Sequence, residues 1–165
     1  MEAKRVADSR VTLSQLMGPQ DANSLGNVHG GVIMKLVDEA GALAAMRHSQ
    51  HMVVTVALDS MVFKEPILTR DVIILTAELT YVGRTSMEVA VEVITEDALH
   101  STKKHTNSAY LVYVALDDNR RPVEVPPLRL ETDEERARWK AAEARQKYRR
   151  SQQNEQKKAS LLSNE

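Results

Sequence analysis

A chain of 165 residues has length for one domain and a modest extension, and 42% apolar with 27% charged residues is the composition of an ordinary folded protein, not of a disordered or fibrous one. A formal net charge of -1 gives no overall field toward nucleic acid or a membrane surface, so any anion site must be local. The absence of cysteine excludes disulfides, thiolate metal sites and a cysteine nucleophile.

In chain order, the opening MEAKRVADSR contains no apolar stretch of signal-peptide length, and nowhere do the roughly 18 apolar residues of a membrane span run together. A cytoplasmic location is the simplest expectation. Residues Arg10 to Met17 read as a short strand, and Gly18 to His29 (GPQDANSLGNVH) are dense in turn formers, hence a loop. From Gly30 to about His48 the residues Ile33, Leu36, Val37, Ala40, Leu43 and Ala44 recur at spacings of three and four, which predicts a helix with one apolar face. Met52–Phe63, Asp71–Val82, Thr85–Glu96 and His105–Leu116 are β-branched and partly alternating, which predicts four strands. The close Val82-Gly83-Arg84-Thr85 turn joins two of them as an antiparallel hairpin. One apolar helix before a set of long strands is an α+β pattern, with the helix laid against a large, curved antiparallel sheet.

Pro122, Pro126 and Pro127 end that pattern, placing a boundary near residue 130. Thr132-Asp133-Glu134-Glu135 gives a capping box for a charged helix running to about Lys158 within the 131–165 segment. Glu134 with Arg138 and Glu143 with Lys147 stand at i,i+4 spacing. A solvated helix is the ordinary reading; Trp139, Tyr148 and the basic run from Lys147 to Arg150 are the residues through which it would instead bind a partner.

The predicted central helix carries one ill-fitting residue. Lys35 and Glu39 can pair in solvent, but Asp38 shares its sector with Met34, Gly41, Ala42 and Ala45, which are apolar or small. A carboxylate there is either a wet surface residue or a general base or nucleophile at a cleft or subunit interface. The small neighbours would let another chain or a thin substrate approach. Gly30 and Gly31 leave the first backbone N–H groups of the helix unshielded, and a helix N-terminus can polarise a carbonyl or hold an anion. Asp38 lies seven residues beyond Gly31, about 10 Å along the axis, so one acyl group could span the two. Asn23, in the loop before the helix, is by type a turn residue, although its amide could position water or a carbonyl without a metal. The five histidines are scattered, and neither a GxSxG elbow nor a phosphate-binding GxxxxGK[ST] loop is present. No metal site or cofactor is expected.

The run LMGPQDANSLGNVHGGVIMKLVDEAGALAAMRH closely resembles the signature region of hotdog-fold acyl-CoA thioesterases of the cytosolic acyl-CoA hydrolase type. The resemblance continues through VVTVALDSMVFKEPI, VGRTSMEVAVEV, TKKHTNSAYLVYVAL and the VPPL run, covering roughly residues 10 to 130. It implies a hotdog fold, a curved sheet wrapped around one helix, in a domain over 1–130. It implies a double-hotdog dimer, commonly a trimer of dimers, with Asp38 of one protomer working opposite Asn23 of its neighbour. It also implies a CoA-contacting role for the turn Gly83-Arg84-Thr85-Ser86, to which Lys103 and Lys104 are candidate additions, although solvated surface charge is the simpler reading of the lysines. The expected activity is hydrolysis of fatty acyl-CoA to fatty acid and CoA, with carbonyl polarisation at Gly30 and Gly31. A non-catalytic acyl-CoA binder or sensor would bind CoA without releasing thiol. A hotdog enoyl-CoA hydratase would call for a His beside Asp38, and none lies on the helix there.

Overall fold

A computed structural model of the chain describes residues 1–59 and 61–162. Ser60, inside one expected strand, and 163–165, the end of the expected tail, lie outside the described residues. The chain divides into two compact units, Met1–Arg129 and Leu130–Glu165.

The first unit opens with a short strand (β1, Lys4–Arg5), one helical turn (α1, Val6–Ser9) and a strand (β2, Val11–Leu16). A loop containing a 3-10 turn at Pro19–Asp21 leads into the long helix (α2, Gly30–Ser49). Then come β3 (Met52–Leu58), β4 (Val72–Val82), β5 (Ser86–Asp97), β6 (Thr102–Leu116) and the two-residue β7 (Leu128–Arg129). The main sheet has five strands in the order β2-β4-β5-β6-β3, every pair antiparallel, while β1 and β7 pair in parallel.

Alternation decides which face of the sheet meets the helix. Ile73, Leu75, Ala77 and Leu79 of β4, Met87, Val89, Val91 and Val93 of β5, and Ala109, Leu111, Tyr113 and Ala115 of β6 are all buried at period two. Opposite them α2 buries Ile33, Leu36, Val37, Ala40, Ala44 and Ala45 at helical period. Register breaks at Thr55/Ala57, Leu79/Tyr81 and Val93/Ile94 add local twist, which curls the sheet around the helix. At the far end of α2, Gln50 adopts the left-handed conformation and its N–H caps Met46 O, while Lys4 Nζ donates to His48 O at 2.6 Å.

The hotdog expectation is met, with three differences of detail. β3 stops at Leu58, short of Phe63: the apolar Met61, Val62 and Phe63 leave the sheet, and the Phe63 ring covers the start of α2 at Gly30. β6 begins at Thr102, before His105, because Lys103 pairs across to Glu96 and Lys104 stands opposite Thr95, so charge conceals a strand. Leu43, expected on the buried face of the helix, is 37% exposed.

In the second unit, α3 spans Asp133–Leu162. Its capping box is formed: Thr132 Oγ1 accepts from Glu135 N–H at 3.1 Å, and Glu135 Oε2 accepts from Thr132 N–H at 3.1 Å. The Glu134–Arg138 and Glu143–Lys147 pairs are both made. Among the described residues, no helix is long and apolar enough to cross a membrane.

Candidate active site

Asp38 sits midway along α2, half-buried, on the side facing strand β3. Two hydroxyls meet its carboxylate: Thr55 Oγ1 of β3 donates to Oδ1 at 2.6 Å, and the Tyr113 hydroxyl of β6 stands 3.1 Å from the same oxygen and 3.0 Å from the Asp38 carbonyl. Thr55 and Tyr113 are register partners in the β3–β6 ladder, so side chains directly opposite each other point inward together. Burial, followed by the Asp38 charge beside it, pushes the Tyr113 hydroxyl far above the ordinary tyrosine range, with the Thr55 hydroxyl opposing. It therefore remains a protonated donor. The carboxylate is thus held between helix and sheet, with an exposed edge strand on its open side.

Among the small residues around Asp38, Gly41 meets a neighbour of its own chain. The room left by Gly41 is filled from within the chain: a methyl at this position would overlap the Tyr113 hydroxyl and lie 3.1 Å from ring atoms Cε2 and Cζ. Gly41 therefore admits the Tyr113 ring to Asp38, three residues earlier on the same helix face.

The helix start forms a separate pocket of about 270 Å³ lined by Asn23, Gly30, Ile33, Phe63 and Pro66, among others. The Asn23 side-chain oxygen is spent on its own loop, accepting from Leu25 N–H at 2.9 Å and Asn27 N–H at 3.2 Å. That leaves the amide NH2 as the group to offer a ligand. The two glycines differ. Gly31 N–H, expected to be open to a ligand, donates to Nδ1 of the N-cap residue His29 at 2.9 Å, whereas Gly30 N–H has no protein acceptor among the described residues. Asn23 and Gly30 share this pocket, and Asp38 lies about 12 Å further along the axis, eight residues at ~1.5 Å each.

The buried Asn107 of β6 braces the segment that covers the helix start. Oriented with its amide nitrogen toward the carbonyls, it donates to Thr106 O at 2.8 Å and to Val62 O, the residue before Phe63.

The candidate CoA set is divided by the fold. Gly83 to Ser86 form the β4–β5 turn, closed by Gly83 N–H to Ser86 O at 2.8 Å, with the Arg84 side chain 81% exposed and loosely paired with Glu124 at 3.7 Å. Lys103 and Lys104 stand at the opposite end of β5, opposite Glu96 and Thr95, about ten residues or ~33 Å from that turn within one protomer. They pair with Glu96 and Glu65 at 3.7 and 3.2 Å, and Glu65 also borders the helix-start pocket. Among the described residues, no three His, Asp or Glu side chains cluster as a metal site would require.

Thr55, Tyr113 and Phe63 were not among the sequence candidates. Alternation alone makes Thr55 and Tyr113 ordinary strand residues; only the carboxylate opposite them gives them significance. The signal available for Phe63 was Pro66 close behind it, which argues against a strand continuing that far.

Comparison with known proteins places this geometry among relatives. Residues 25–100 match the thioesterase superfamily family model. The chain is 43% identical over 143 residues to the mouse cytosolic acyl coenzyme A thioester hydrolase, covering 79% of this chain and 38% of that one, so it spans about two fifths of the relative's length. Among solved structures, an apo-hexameric acyl-CoA thioesterase superposes with a TM-score of 0.88 at 35% identity, covering 92% of this chain and 97% of the other. An acyl-CoA hydrolase from Staphylococcus aureus, solved with butyryl coenzyme A, coenzyme A and coenzyme A disulfide, superposes with a TM-score of 0.89 at 32% identity over 99% of both chains. That enzyme has also been solved as variants with alanine replacing an aspartate, an asparagine and a threonine.

Proposed function

The chain belongs to the thioesterase superfamily, among its hotdog-fold acyl-CoA thioester hydrolases, and on that premise we propose that it hydrolyses fatty acyl-CoA with Asp38 as the reacting carboxylate and Asn23 of a neighbouring protomer opposite it. The observation that carries the reading is the held carboxylate. Asp38 is oriented by two hydroxyls through one oxygen, on the side of the helix that faces the sheet edge. An aspartate, an asparagine and a threonine are also the residue types replaced in the Staphylococcus aureus enzyme, and Asp38, Asn23 and Thr55 are their counterparts in this reading.

In the proposed reaction the thioester carbonyl is polarised by Gly30 N–H, at the positive end of α2 in the protomer that supplies Asn23. Asp38 acts either as general base on water or as the attacking carboxylate. In the first route, Asp38 takes a proton from water as the hydroxyl adds to the carbonyl carbon. The tetrahedral oxyanion then collapses, the C–S bond breaks, and the CoA thiolate takes the proton from Asp38. The Asn23 amide NH2 holds the water. No metal or cofactor enters the scheme.

Arg84, with Thr85 and Ser86, supplies the phosphate-binding turn for CoA. Lys103 and Lys104 are too distant to join it in the same protomer; as exposed, weakly paired charges they fit the surface reading. The working unit is a dimer, assembled as a trimer of dimers by analogy with the hexameric relative, and the cytosolic mouse relative supports a cytoplasmic location.

The test is release of free thiol from a panel of acyl-CoA substrates of increasing chain length. Asp38→Ala is expected to lose activity by on the order of a thousandfold and Asn23→Ala by tenfold or more, both remaining folded. Full activity in Asp38→Ala would show the catalytic assignment to be wrong.

A further inference from the structure

We propose that Tyr113 is a positioning residue for the reaction, fixing Asp38 so that Oδ1 is the held oxygen and Oδ2 the one that meets water or the thioester. The proposal rests on the reading of Asp38 as the reacting carboxylate.

The two carboxylate oxygens are not equivalent. Oδ1 receives the Thr55 hydroxyl at 2.6 Å and faces the Tyr113 hydroxyl at 3.1 Å, while Oδ2 has no protein donor among the described residues. Hydrogen bonds from two hydroxyls occupy the oxygen they reach and fix the plane of the group, leaving the lone pairs of the other oxygen for chemistry. The Tyr113 hydroxyl also lies 3.0 Å from the Asp38 backbone carbonyl, so one donor registers both the main chain and the side chain of a single residue.

Three elements secure that donor. Tyr113 is fully buried in β6, with Thr55 of β3 on one side and Met87 of β5 on the other, so its ring cannot drift. On the helix, Gly41 is the position at which any side chain would displace the ring. Burial and the adjacent Asp38 charge keep the phenol protonated across the range in which such an enzyme works, so its role is to donate a hydrogen bond and not to exchange a proton.

A tyrosine that merely satisfied its own hydroxyl on the helix carbonyl would leave the chemistry unchanged when that hydroxyl is removed. Tyr113→Phe keeps the ring and removes only the donor. It is expected to fold and to lower kcat about tenfold with little change in KM, because substrate binding does not use this donor while the reacting carboxylate does. A loss in kcat with KM held supports the proposal. Wild-type kcat in the folded Tyr113→Phe protein overturns it. Asp38→Ala, assayed in parallel, separates the two readings: retained activity there removes the catalytic assignment itself, while activity lost there and untouched in Tyr113→Phe removes only the positioning role.

Discussion

Gly41 lies in the interior of a long helix, where glycine is ordinarily about 1 kcal/mol worse than alanine. The substitution Gly41→Ala would therefore be stabilising on helix propensity alone. Here the sign reverses: the added methyl overlaps the hydroxyl of a buried tyrosine confined by strands on both sides, and overpacking of that kind costs typically 1–3 kcal/mol. Gly41→Ala should therefore lower the melting temperature by several degrees and reduce thiol release at least tenfold, because the ring that orients Asp38 is displaced. A raised melting temperature with unchanged activity would show that the ring can yield.

At the scale of elements, the C-terminal end of α2 carries a buried histidine that the reaction does not use. His48 Nε2 lies 2.7 Å from Pro126 O, which selects the tautomer with its proton on Nε2, while Nδ1 is buried with no hydrogen-bond partner among the described residues. Burial holds the pKa below the ordinary value of 6.5, with the Lys4 ammonium adding to the effect; the Pro126 carbonyl and Asp8 oppose it. Below pH 6.5 the unfolded chain takes up this proton more readily than the folded one, so the contribution is intact above that pH and is lost as pH falls through 6.5 toward the depressed folded value. Urea unfolding should accordingly show stability falling between about pH 7 and pH 5.5, and His48→Gln, which does not titrate, should flatten that slope. A slope unchanged in the variant would place its origin in the carboxylates.

Helical periodicity located α2, and the misfit of Asp38 on it was visible because apolar spacing is set by the core it faces. Period-two alternation located the four long strands for the same reason. The end of β3 was hidden because Met61, Val62 and Phe63 continue its apolar run outside the sheet, where the Phe63 ring covers the helix start, and hydrophobicity does not record which surface it covers. β1 and β7 pair over only two residues each, too short for any period to register. Tyr113 and Thr55 read as plain alternation, since their role depends on a contact 75 and 17 residues away in sequence. Gly31 N–H looked open because sequence does not show a histidine turning back to cap its own helix.

At the scale of the whole molecule, β3 is an edge strand with Met52, Val54, Val56 and Leu58 exposed, all four apolar. An open apolar edge of that kind would pair with other chains indiscriminately unless a specific partner covered it. Pairing with a second copy about a twofold axis would cover both edges at once, and Asp38 sits beside this edge through Thr55. The Asn23–Gly30 pocket of the same protomer is displaced along the helix from that carboxylate, so a site combining Asp38 and Asn23 is most simply completed across the pair. In that arrangement each active site would be the joint product of two chains.

Mixing the two inactive variants tests that claim directly. Asp38→Ala and Asn23→Ala chains, unfolded together in equal amounts and refolded, should form mixed dimers in which one site combines the intact Asp38 of one chain with the intact Asn23 of the other. Random pairing about a twofold axis then restores about one quarter of wild-type thiol release from two nearly inactive proteins. If each site is built within a single protomer, the refolded mixture will be no more active than the variants apart.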